Sequence, residues 1–356
     1  MKVITVIGAR PQFIKAAVVS RAFAKYRPDV QEIIVHTGQH YDANMSDVFF
    51  EELDIPRPDY NLGVGGGTHG QNTGRMIEKL EGLMMEVRPA WVLVFGDTDS
   101  TLAGALAAAK LHIPVAHVEA GLRSYNRKMP EEINRVLTDH IAELLFAPTE
   151  NGRKNLLEEG VPAEKIKLVG DVMHDAALFY TEKARKPKLP TEFDLEGEGF
   201  VLCTIHRAEN TDDPRRLKSI FQGLEDSGAQ ILLPMHPRTQ TKVLDSEISI
   251  ADNIWVIDPV GYLEMIWLEA NCRCVATDSG GVQKEAFFFK KPCKTMRYET
   301  EWVELVESGW NRLVGASAKE ITDALTSISL PISTNSLYGD GNAGEKIVMM
   351  IEASRE

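Results

Sequence analysis

Acidic residues stand where three predicted elements begin or end. Asp97 follows the apolar run WVLVFG, Glu119 follows PVAHV, and Glu131 opens the helical segment PEEINR. Since the carboxyl ends of neighbouring parallel strands lie at one edge of a sheet, these three carboxylates can converge on one pocket. Burial and mutual repulsion would raise the pKa of at least one carboxyl toward neutrality, as general acid and base catalysis requires. The alternative is a salt-bridge cluster with nearby arginines, Arg123, Arg127 and Arg135.

The end of the first predicted strand carries basic residues. The strand runs into Arg10 and Pro11, and Lys15 follows one turn into a helix. Pro11 suits a first helical position, where its missing N–H is not needed. Free backbone amides at this helix start, with Arg10 and Lys15 beside them, predict an anion-binding site. Solvated charges at an ordinary helix start are the alternative, and the dinucleotide fingerprint Gly-x-Gly-x-x-Gly is absent from this motif.

Two histidines in the second half of the chain also follow apolar runs. His206 and Arg207 come after FVLCTI, and His236 comes after ILLPM. A histidine at a strand end suits phosphate contact or proton transfer, although a single histidine is more often structural.

The strongest local pattern is CVATDSGGVQKEA, a strand followed by a turn of small residues and a helix. Ser279, Gly280 and Gly281 would let phosphate oxygens approach the backbone amides at the helix start. Glu285, one turn further on, could accept hydrogen bonds from ribose hydroxyls. A plain tight turn is the alternative. The glycine-rich residues 63–70 lack the Lys-Ser/Thr ending of a phosphate loop, so we interpret them as a mobile loop.

Short β-branched runs alternate with longer helical patterns, which is typical of parallel sheets covered by helices. The predicted strands are residues 3–8, 32–38, 91–97, 114–121, 144–149, 165–171, 200–206, 230–236, 254–259, 272–278 and 293–297. The predicted helices include residues 14–26, 72–87, 100–111, 131–143 and 343–353. The fold class is therefore α/β, with two Rossmann-like doubly wound domains facing a cleft.

The composition excludes several classes of protein. The chain has 356 residues, of which 44% are hydrophobic and 26% charged, as in a globular protein of two domains. The net charge of −13 argues against a nucleic-acid or anionic-membrane surface, and no run of about 18 apolar residues could span a membrane. The four cysteines form no zinc or disulfide pattern, and no His, Asp and Glu set has metal spacing. We therefore predict a cytoplasmic protein without a catalytic metal.

Seven motifs taken together resemble the non-hydrolysing UDP-N-acetylglucosamine 2-epimerase family: GARPQFIK, GDTDSTLAG, HVEAGLRS, PEEINR, HRAEN, TDSGGVQKEA and YGDGNA. They run in order from Gly8 to Ala343 and cover nearly the whole chain. The resemblance implies a fold like that of the two-domain B-type glycosyltransferases (GT-B), with the nucleotide in the cleft. It also implies that UDP is eliminated across C1 and C2 of the sugar and added back with the opposite configuration at C2. No cofactor is needed for this chemistry.

The resemblance implies roles for individual residues. Asp97, Glu119 and Glu131 match the family's catalytic carboxylates, and His206 matches a catalytic-site histidine that would stabilise the departing diphosphate. The predicted substrate-binding residues are Arg10 and Lys15 near the diphosphate and sugar, Ser279, Gly280 and Gly281 in the diphosphate loop, Glu285 at the ribose, Met265 at the uracil, and Arg135, Arg207 and His236.

The resemblance also sets the expected domains. Residues 1–170 form the N-terminal domain with the catalytic carboxylates, and residues 171–342 form the UDP-binding domain. Residues 343–356 form a helix that packs back toward the N-terminal domain. A polar stretch at residues 181–199, rich in Pro and Lys, marks an interdomain crossing.

Several residues depart from the plain UDP-N-acetylglucosamine members, which carry Glu at Gln12 and Arg at Trp302. Gln12, the segment around Trp302 and Gly309-Trp310-Asn311 instead resemble the branch acting on UDP-2,3-diacetamido-2,3-dideoxy-glucuronate. A Gln in place of Glu removes a negative charge, which would favour a sugar with an additional C6 carboxylate if Gln12 lies near it.

The expected function is therefore C2 epimerisation of this UDP-uronate in surface polysaccharide biosynthesis. Epimerisation of UDP-N-acetylglucosamine to UDP-N-acetylmannosamine is an alternative, and so are a GT-B glycosyltransferase and a regulator that binds a nucleotide sugar without turnover. The expected partners are the UDP-sugar and UDP, with no nucleic acid and no membrane. The family resemblance implies a homodimer.

Overall fold

The structure is a computed structural model that describes residues 1–39, 50, 52–193, 199–331 and 336–353. The chain divides into two compact units. The first unit comprises Met1–Leu178 together with Ser336–Glu356, and the second comprises Phe179–Asn335.

The first unit is built on a seven-stranded sheet in the order β3-β2-β1-β4-β5-β6-β7, in which every described pairing is parallel. Its strands are β1 Lys2–Ile7, β2 Gln31–His36, β3 Tyr60–Asn61, β4 Trp91–Phe95, β5 Val115–Val118, β6 Leu144–Ala147 and β7 Ile166–Leu168. Its helices are α1 Arg10–Tyr26, α2 His69–Val87, α3 Asp99–Lys110, α4 Pro130–Ile141, α5 Glu150–Glu158, most of α6 Val172–Thr181 and, at the C-terminus, α14 Ala343–Ala353.

The second unit repeats this plan with a six-stranded parallel sheet in the order β10-β9-β8-β11-β12-β13. Its strands are β8 Val201–Thr204, β9 Ile231–Pro234, β10 Ile254–Ile257, β11 Cys274–Thr277, β12 Cys293–Thr295 and β13 Asn311–Leu313. Its helices, apart from the end of α6, are α7 Ala208–Thr211, α8 Pro214–Asp226, α9 Pro237–Asp245, α10 Tyr262–Asn271, α11 Gly280–Phe288, α12 Val303–Glu307 and α13 Ala318–Thr326.

The central strands are buried on both faces because helices cover both sides of each sheet. All five residues of β4 are buried, and so are all four residues of β8 and of β11. Strands of this kind are apolar throughout and lack a polar face. Helix α3 lies so close to the sheet that a Cβ at Gly104 would stand 3.2 Å from the side chain of Val6.

Strand order reverses once in each sheet. The reversal falls between β1 and β4 in the first unit and between β8 and β11 in the second. Ligands in doubly wound sheets bind at this point, beyond the carboxyl ends of the two strands. The two reversals therefore position the candidate site residues.

The predicted fold class of two Rossmann-like doubly wound halves is confirmed, and each predicted strand matches a strand of the sheets. Two strands were missed, β3 and β13, because their sequences, Tyr-Asn and Asn-Arg-Leu, contain no apolar run. The glycine-rich residues 63–70 lead into α2, where Thr68 caps the helix and the amide of Val64 donates to the carbonyl of Thr37.

None of the helices in the described part of the chain is both long enough and apolar enough to cross a lipid bilayer.

The last helix, α14, packs on α1 within the first unit. Ile347 and Ile351 are buried, and a Cβ at Gly344 would stand 2.8 Å from the side chain of Val18. The carboxylate of Asp175 accepts a hydrogen bond of 2.9 Å from the amide of Gly344. Burial raises the pKa of Asp175 to about 6, although hydrogen bonds from the backbone oppose the shift.

We expect Asp175→Asn to stabilise the protein at alkaline pH. A folded-state pKa near 6 lies above the ordinary value of 3.8, so the folded chain takes up a proton between these values and loses stability as the pH rises through this interval. Asn keeps an acceptor for Gly344 and carries no charge. The melting temperature of the variant should exceed that of the wild type at pH 8, and the difference should shrink toward pH 5.

Asp340→Asn is the matched control, because a hydrogen bond from Lys346 lowers the pKa of Asp340. Neutralising this carboxylate should not stabilise the protein at pH 8. Equal melting curves for wild type and Asp175→Asn at pH 8 would contradict the prediction.

Candidate active site

The side chain of Gln12 joins the two strand ends at the reversal in the first unit. Its oxygen accepts hydrogen bonds from the amides of Gly8 and Ala9, at 2.8 and 3.0 Å. Its amide nitrogen donates to the carbonyl of Phe95 at 2.7 Å and also contacts two threonine hydroxyls. With both polar atoms committed and 2% of its surface exposed, Gln12 fixes the backbone around the site and is not available to contact a sugar. The expectation that Gln12 favours a sugar carboxylate was conditional on its lying near the sugar, and these contacts assign its side chain to the backbone instead.

Lys15 and Glu119 form an ion pair beside this turn. Lys15 lies on α1 and Glu119 follows β5, and both side chains are largely buried. Glu119 has a left-handed backbone with φ of 73°, which is unusual for a residue other than glycine and costs conformational energy. Gly96 makes room for the pair, since a Cβ there would stand 3.3 Å from the Glu119 carboxylate and 3.7 Å from the Lys15 ammonium.

Asp97 follows Gly96 at the end of β4 and pairs with Arg135 of α4. Burial raises the pKa of Asp97, the charge of Glu119 adds to this effect, and the charges of Arg135 and Lys15 oppose it. Asp97 is therefore an acid that can gain and lose a proton more readily near neutral pH than an exposed aspartate.

The two glutamates that open α4 face different surroundings. Glu131 is exposed in the first turn of the helix. Glu132 is 1% exposed and accepts hydrogen bonds from the amides of Ser124 and Tyr125, at 2.9 and 3.0 Å. Glu132 thus fastens the preceding loop, and Glu131 is the glutamate with an accessible carboxylate.

His69 adds a residue that the sequence did not indicate. Its Nδ1 lies 2.8 Å from the carboxylate of Asp99, which is buried and also accepts a hydrogen bond from Asn134 at 3.1 Å. The hydrogen bond with Asp99 raises the pKa of His69, and the charges of Asp99 and Glu131 raise it further. The exposed imidazole therefore favours a positive charge at the edge that carries Asp97. Arg10, at the first position of α1, is exposed as well.

His206 and Arg207 lie at the reversal in the second unit, directly after β8. The buried carboxylate of Asp278, at the end of β11, accepts hydrogen bonds from the backbone amides of His206 and Arg207 at 3.1 Å. It also accepts a hydrogen bond from Asn210 and lies 3.4 Å from Nδ1 of His206. The histidine side chain is half exposed, so Asp278 fixes its backbone and one face of its ring while leaving the other side accessible.

The predicted phosphate turn opens helix α11. Ser279 caps this helix, and Gly280 and Gly281 form its first turn, where the leading amides have no carbonyl partner within the helix. A Cβ at Gly280 would overlap the carboxylate of Glu301. Arg297 donates to Glu301 at 2.9 Å, and Arg207 lies 4.0 Å away.

Glu301 shows the preference of this turn for negative charge. Burial raises the pKa of Glu301, but its backbone hydrogen bond and the charges of Arg297 and Arg207 outweigh burial and hold the pKa below its ordinary value. An ionised carboxylate is therefore stable at the place where the sequence predicted a diphosphate.

Trp302 also stabilises the turn of Gly280. Its indole N–H donates to the carbonyl of Gly280 at 2.9 Å, and the ammonium of Lys284 lies over its ring, 4.2 Å from the centroid. Gln283 adds a hydrogen bond to the carbonyl of Ser279 at 3.1 Å. An arginine at position 302 would lack the flat indole face that packs under Lys284.

Glu285 lies one turn into α11 and interacts with Glu269, which is fully buried on α10. Burial raises the pKa of Glu269 well above its ordinary value, and the neighbouring Glu285 raises it further. The sequence analysis did not single out Glu269. Helical spacing could have indicated that it is buried, because it lies three residues after the buried Ile266 on α10.

Two further predicted residues have local roles in their helices. His236 caps α9, with Nδ1 accepting a hydrogen bond of 3.2 Å from the amide of Arg238. The amide of Met265 donates to the carbonyl of Gly261 at 2.9 Å and is therefore committed within α10. Both residues lie in the second unit, like the predicted phosphate turn.

We expect Gln12→Glu to destabilise the protein, because a carboxylate oxygen would face the carbonyl of Phe95 in place of a donor. Losing this buried hydrogen bond should lower the free energy of unfolding by about 1–3 kcal/mol at pH 8. At pH 5 a protonated Glu could donate again, and the loss should be smaller. Chemical denaturation at the two pH values measures the difference.

Gln71→Glu is a matched control, since Gln71 holds the same third position of a capping box at the start of α2 but is exposed. A negative charge is favourable at a helix start, so this control should lose no stability. Equal stability of wild type and Gln12→Glu at pH 8 would show that the amide nitrogen of Gln12 is not needed.

The structure thus defines an α/β protein of two doubly wound units with charged side chains gathered at each strand reversal. A sequence profile of the UDP-N-acetylglucosamine 2-epimerase family matches residues 23–352. The UDP-2,3-diacetamido-2,3-dideoxy-D-glucuronate 2-epimerase of Pseudomonas aeruginosa is 55% identical over 98% of both chains. The chain belongs to the UDP-N-acetylglucosamine 2-epimerase family and is an isomerase.

Solved structures agree with this assignment. The Methanocaldococcus jannaschii UDP-GlcNAc 2-epimerase, crystallised in complex with UDP-GlcNAc and UDP, is 42% identical with a TM-score of 0.83, covering 99% of this chain and 100% of its own. The Neisseria meningitidis UDP-GlcNAc 2-epimerase, bound to UDP-GlcNAc, is 31% identical with a TM-score of 0.86 and the same coverage.

Proposed function

We propose that the protein inverts C2 of a UDP-2-acetamido sugar, converting UDP-2,3-diacetamido-2,3-dideoxy-D-glucuronate to its manno epimer in surface polysaccharide biosynthesis. The observation that carries this proposal is the group of paired acids in the first unit, Asp97 with Arg135 and Glu119 with Lys15. The 55% identity with the Pseudomonas aeruginosa enzyme supports this substrate. The 45% identical Methanocaldococcus jannaschii UDP-N-acetylglucosamine 2-epimerase supports UDP-N-acetylglucosamine as the second candidate.

The proposed reaction has two steps. A carboxylate takes the proton from C2, the C1–oxygen bond breaks, and UDP leaves with the bonding electrons, which gives a 1,2-unsaturated sugar. In the reverse sense, a carboxylic acid returns a proton to the opposite face of C2 while UDP adds to C1. Asp97, Glu119 and Glu131 are the proposed acids and bases, and the raised pKa of Asp97 suits proton transfer in both directions.

We assign the sugar to the first unit and the nucleotide to the second. Arg10, Lys15 and Arg135 would contact the diphosphate and sugar in the first unit. Their counterparts at the nucleotide are His206, Arg207, His236, Met265, Ser279, Gly280, Gly281 and Glu285, with His206 stabilising the leaving diphosphate. The ionised Glu301 at the turn of Gly280 supports a diphosphate there, because a bound anion would replace a carboxylate that this turn already stabilises.

An additional positive charge in the first unit supports the uronate. His69 is exposed and favours its charged form beside Asp99, so it can contact a sugar carboxylate. UDP-N-acetylglucosamine carries no carboxylate for such a contact.

Turnover in D2O tests the reaction. Deuterium should appear at C2 of both epimers, read by mass spectrometry and NMR of the nucleotide sugars. Glu119→Gln should lower kcat by about 100-fold or more, as expected for loss of a general acid or base. Glu158→Gln, on the exposed side of α5, is the control and should leave kcat unchanged. Product formed without deuterium would reject the elimination route, and sugar transfer to an added acceptor without epimerisation would favour a glycosyltransferase.

A side-by-side assay of the two nucleotide sugars tests the substrate. We expect kcat/KM for the diacetamido-glucuronate to exceed that for UDP-N-acetylglucosamine by at least about tenfold, the effect of one charge-assisted hydrogen bond. His69→Gln should reduce this ratio while leaving turnover of UDP-N-acetylglucosamine similar. A ratio below one would assign the protein to UDP-N-acetylglucosamine.

We also propose, from the family resemblance, that the protein is a homodimer of the cytoplasm. Mass photometry of the purified protein would test the dimer, with a single species at twice the chain mass of 39.6 kDa as the expected result.

A further inference from the structure

The imidazole of His117 is fully buried, and both of its ring nitrogens meet hydrogen-bond partners. Nδ1 lies 2.7 Å from the carboxylate of Asp139, and Nε2 lies 2.7 Å from the carbonyl oxygen of Gly96. A carbonyl oxygen can only accept, so Nε2 must carry a proton. The protonation of Nδ1 then depends on whether Asp139 is ionised.

The surroundings of Asp139 favour its ionised form. Its second oxygen accepts hydrogen bonds from Arg123 at 2.7 Å and from the amide of Gly121 at 3.1 Å. Burial works against the charge, but a guanidinium and a backbone amide that both donate to one oxygen favour a carboxylate over a carboxylic acid. An ionised Asp139 has no proton to give, so Nδ1 of His117 donates to it. A histidine that donates from both nitrogens is an imidazolium.

The charges around this imidazolium are balanced. Arg123 also donates two hydrogen bonds of 2.7 Å to Glu159, and His140 lies 3.4 Å from the same glutamate. The buried core of the network therefore holds two cations, His117 and Arg123, and the anion Asp139, with Glu159 at its partly exposed end. An uncompensated buried charge would be strongly destabilising, and this pairing removes that cost.

The carbonyl held by His117 belongs to the turn that carries Asp97. The amide of Gly96 donates to the carbonyl of Val118 at 3.0 Å, so β5 holds both polar groups of this glycine. Gly96 has a left-handed backbone with φ of 62°, and Asp97 is the next residue. On the other side of the same turn stand Glu119 and Lys15.

We propose that His117 is a positioning residue, an imidazolium that donates to both Asp139 and the Gly96 carbonyl and thereby fixes the direction of Asp97. It reaches no solvent, so it does not exchange protons with a substrate. Its hydrogen bond fixes the peptide between Gly96 and Asp97, and its charge lies in the core beneath this turn. The effect on turnover rests on the proposed function, whereas the charge state does not.

The charge state is tested by NMR of the complete protein labelled with 15N in its histidines. The His117 signals are assigned by their absence in His117→Asn. We expect both ring nitrogens to carry protons in the folded protein at neutral pH, because each faces an acceptor. A ring with one unprotonated nitrogen would overturn the proposal, whether or not any nucleotide sugar is turned over.

The positioning role is tested by two variants, each of which keeps one of the two hydrogen bonds of the His117 ring. The amide nitrogen of His117→Gln can occupy the place of Nε2 and donate to Gly96, whereas that of His117→Asn can occupy the place of Nδ1 and donate to Asp139. Misplacing a reacting group by about 1 Å costs up to about 100-fold in rate. We therefore expect kcat of the Asn variant to be at least about tenfold below that of the Gln variant, with KM changed little.

Both variants remove a buried positive charge, so the acid limb of the kcat pH profile should move to higher pH in each. His112→Asn, an exposed histidine with φ of 58° that Asn also tolerates, is the control and should leave kcat and the profile unchanged. Equal kcat values and unchanged profiles in both His117 variants, with only lower melting temperatures, would show that His117 supports the fold alone. Failure of wild type to epimerise any nucleotide sugar would overturn the proposed function and leave the NMR result standing.

Discussion

The turn formed by Gly96 and Asp97 is the constraint on which the first unit depends. Gln12 holds this turn from the start of α1 through the carbonyl of Phe95, and His117 holds it from β5 through the carbonyl of Gly96. Neither contact uses a surface atom. The acids at this edge therefore stand on a backbone fixed by buried hydrogen bonds, which keeps their direction stable when a ligand enters or leaves.

Charge pairing explains how so many ionised groups can share one edge of a sheet. The chain as a whole carries a net charge of −13, yet each buried or half-buried acid here has a cation beside it. Lys15 pairs with Glu119, Arg135 with Asp97, and His117 with Asp139. Desolvation makes single buried charges unfavourable, so each cation offsets part of the cost of burying its acid. The carboxylate of Asp97 is more exposed than that of Glu119. Partial burial and the charge of Glu119 nevertheless raise the pKa of Asp97, although the charge of Arg135 opposes this shift.

Periodicity and turn chemistry were sufficient to predict most of the strands, because buried parallel strands are nearly continuous apolar runs. They also predicted that the polar candidate site residues follow the ends of these strands. Turn chemistry alone could not choose between adjacent acids. Glu131 and Glu132 are neighbours in sequence, but only Glu132 lies on the inward face of α4 with Val136 and Asp139. Helical spacing would have separated them, since positions four and seven residues apart share a face.

Other site residues depend on contacts that sequence spacing does not show. Gln12 acts across 83 residues on Phe95, and His69 meets Asp99 from a different helix. That such residues are neighbours can be inferred only when the strand order is known. The strand order in turn depends on the whole unit. For this reason the sequence alone could not show that the side chain of Gln12 is committed to the backbone.

The two units use the same pair of residue types for opposite purposes. Each unit has a histidine against a buried aspartate, His117 of β5 with Asp139 in the first unit and His206, directly after β8, with Asp278 in the second. The side chain of His117 is 0% exposed and that of His206 is 53% exposed. The first histidine can therefore act only on the backbone that it holds, whereas the second can reach a ligand while Asp278 fixes the turn beneath it. Solvent access, more than residue type, therefore decides which of these two histidines can meet a ligand.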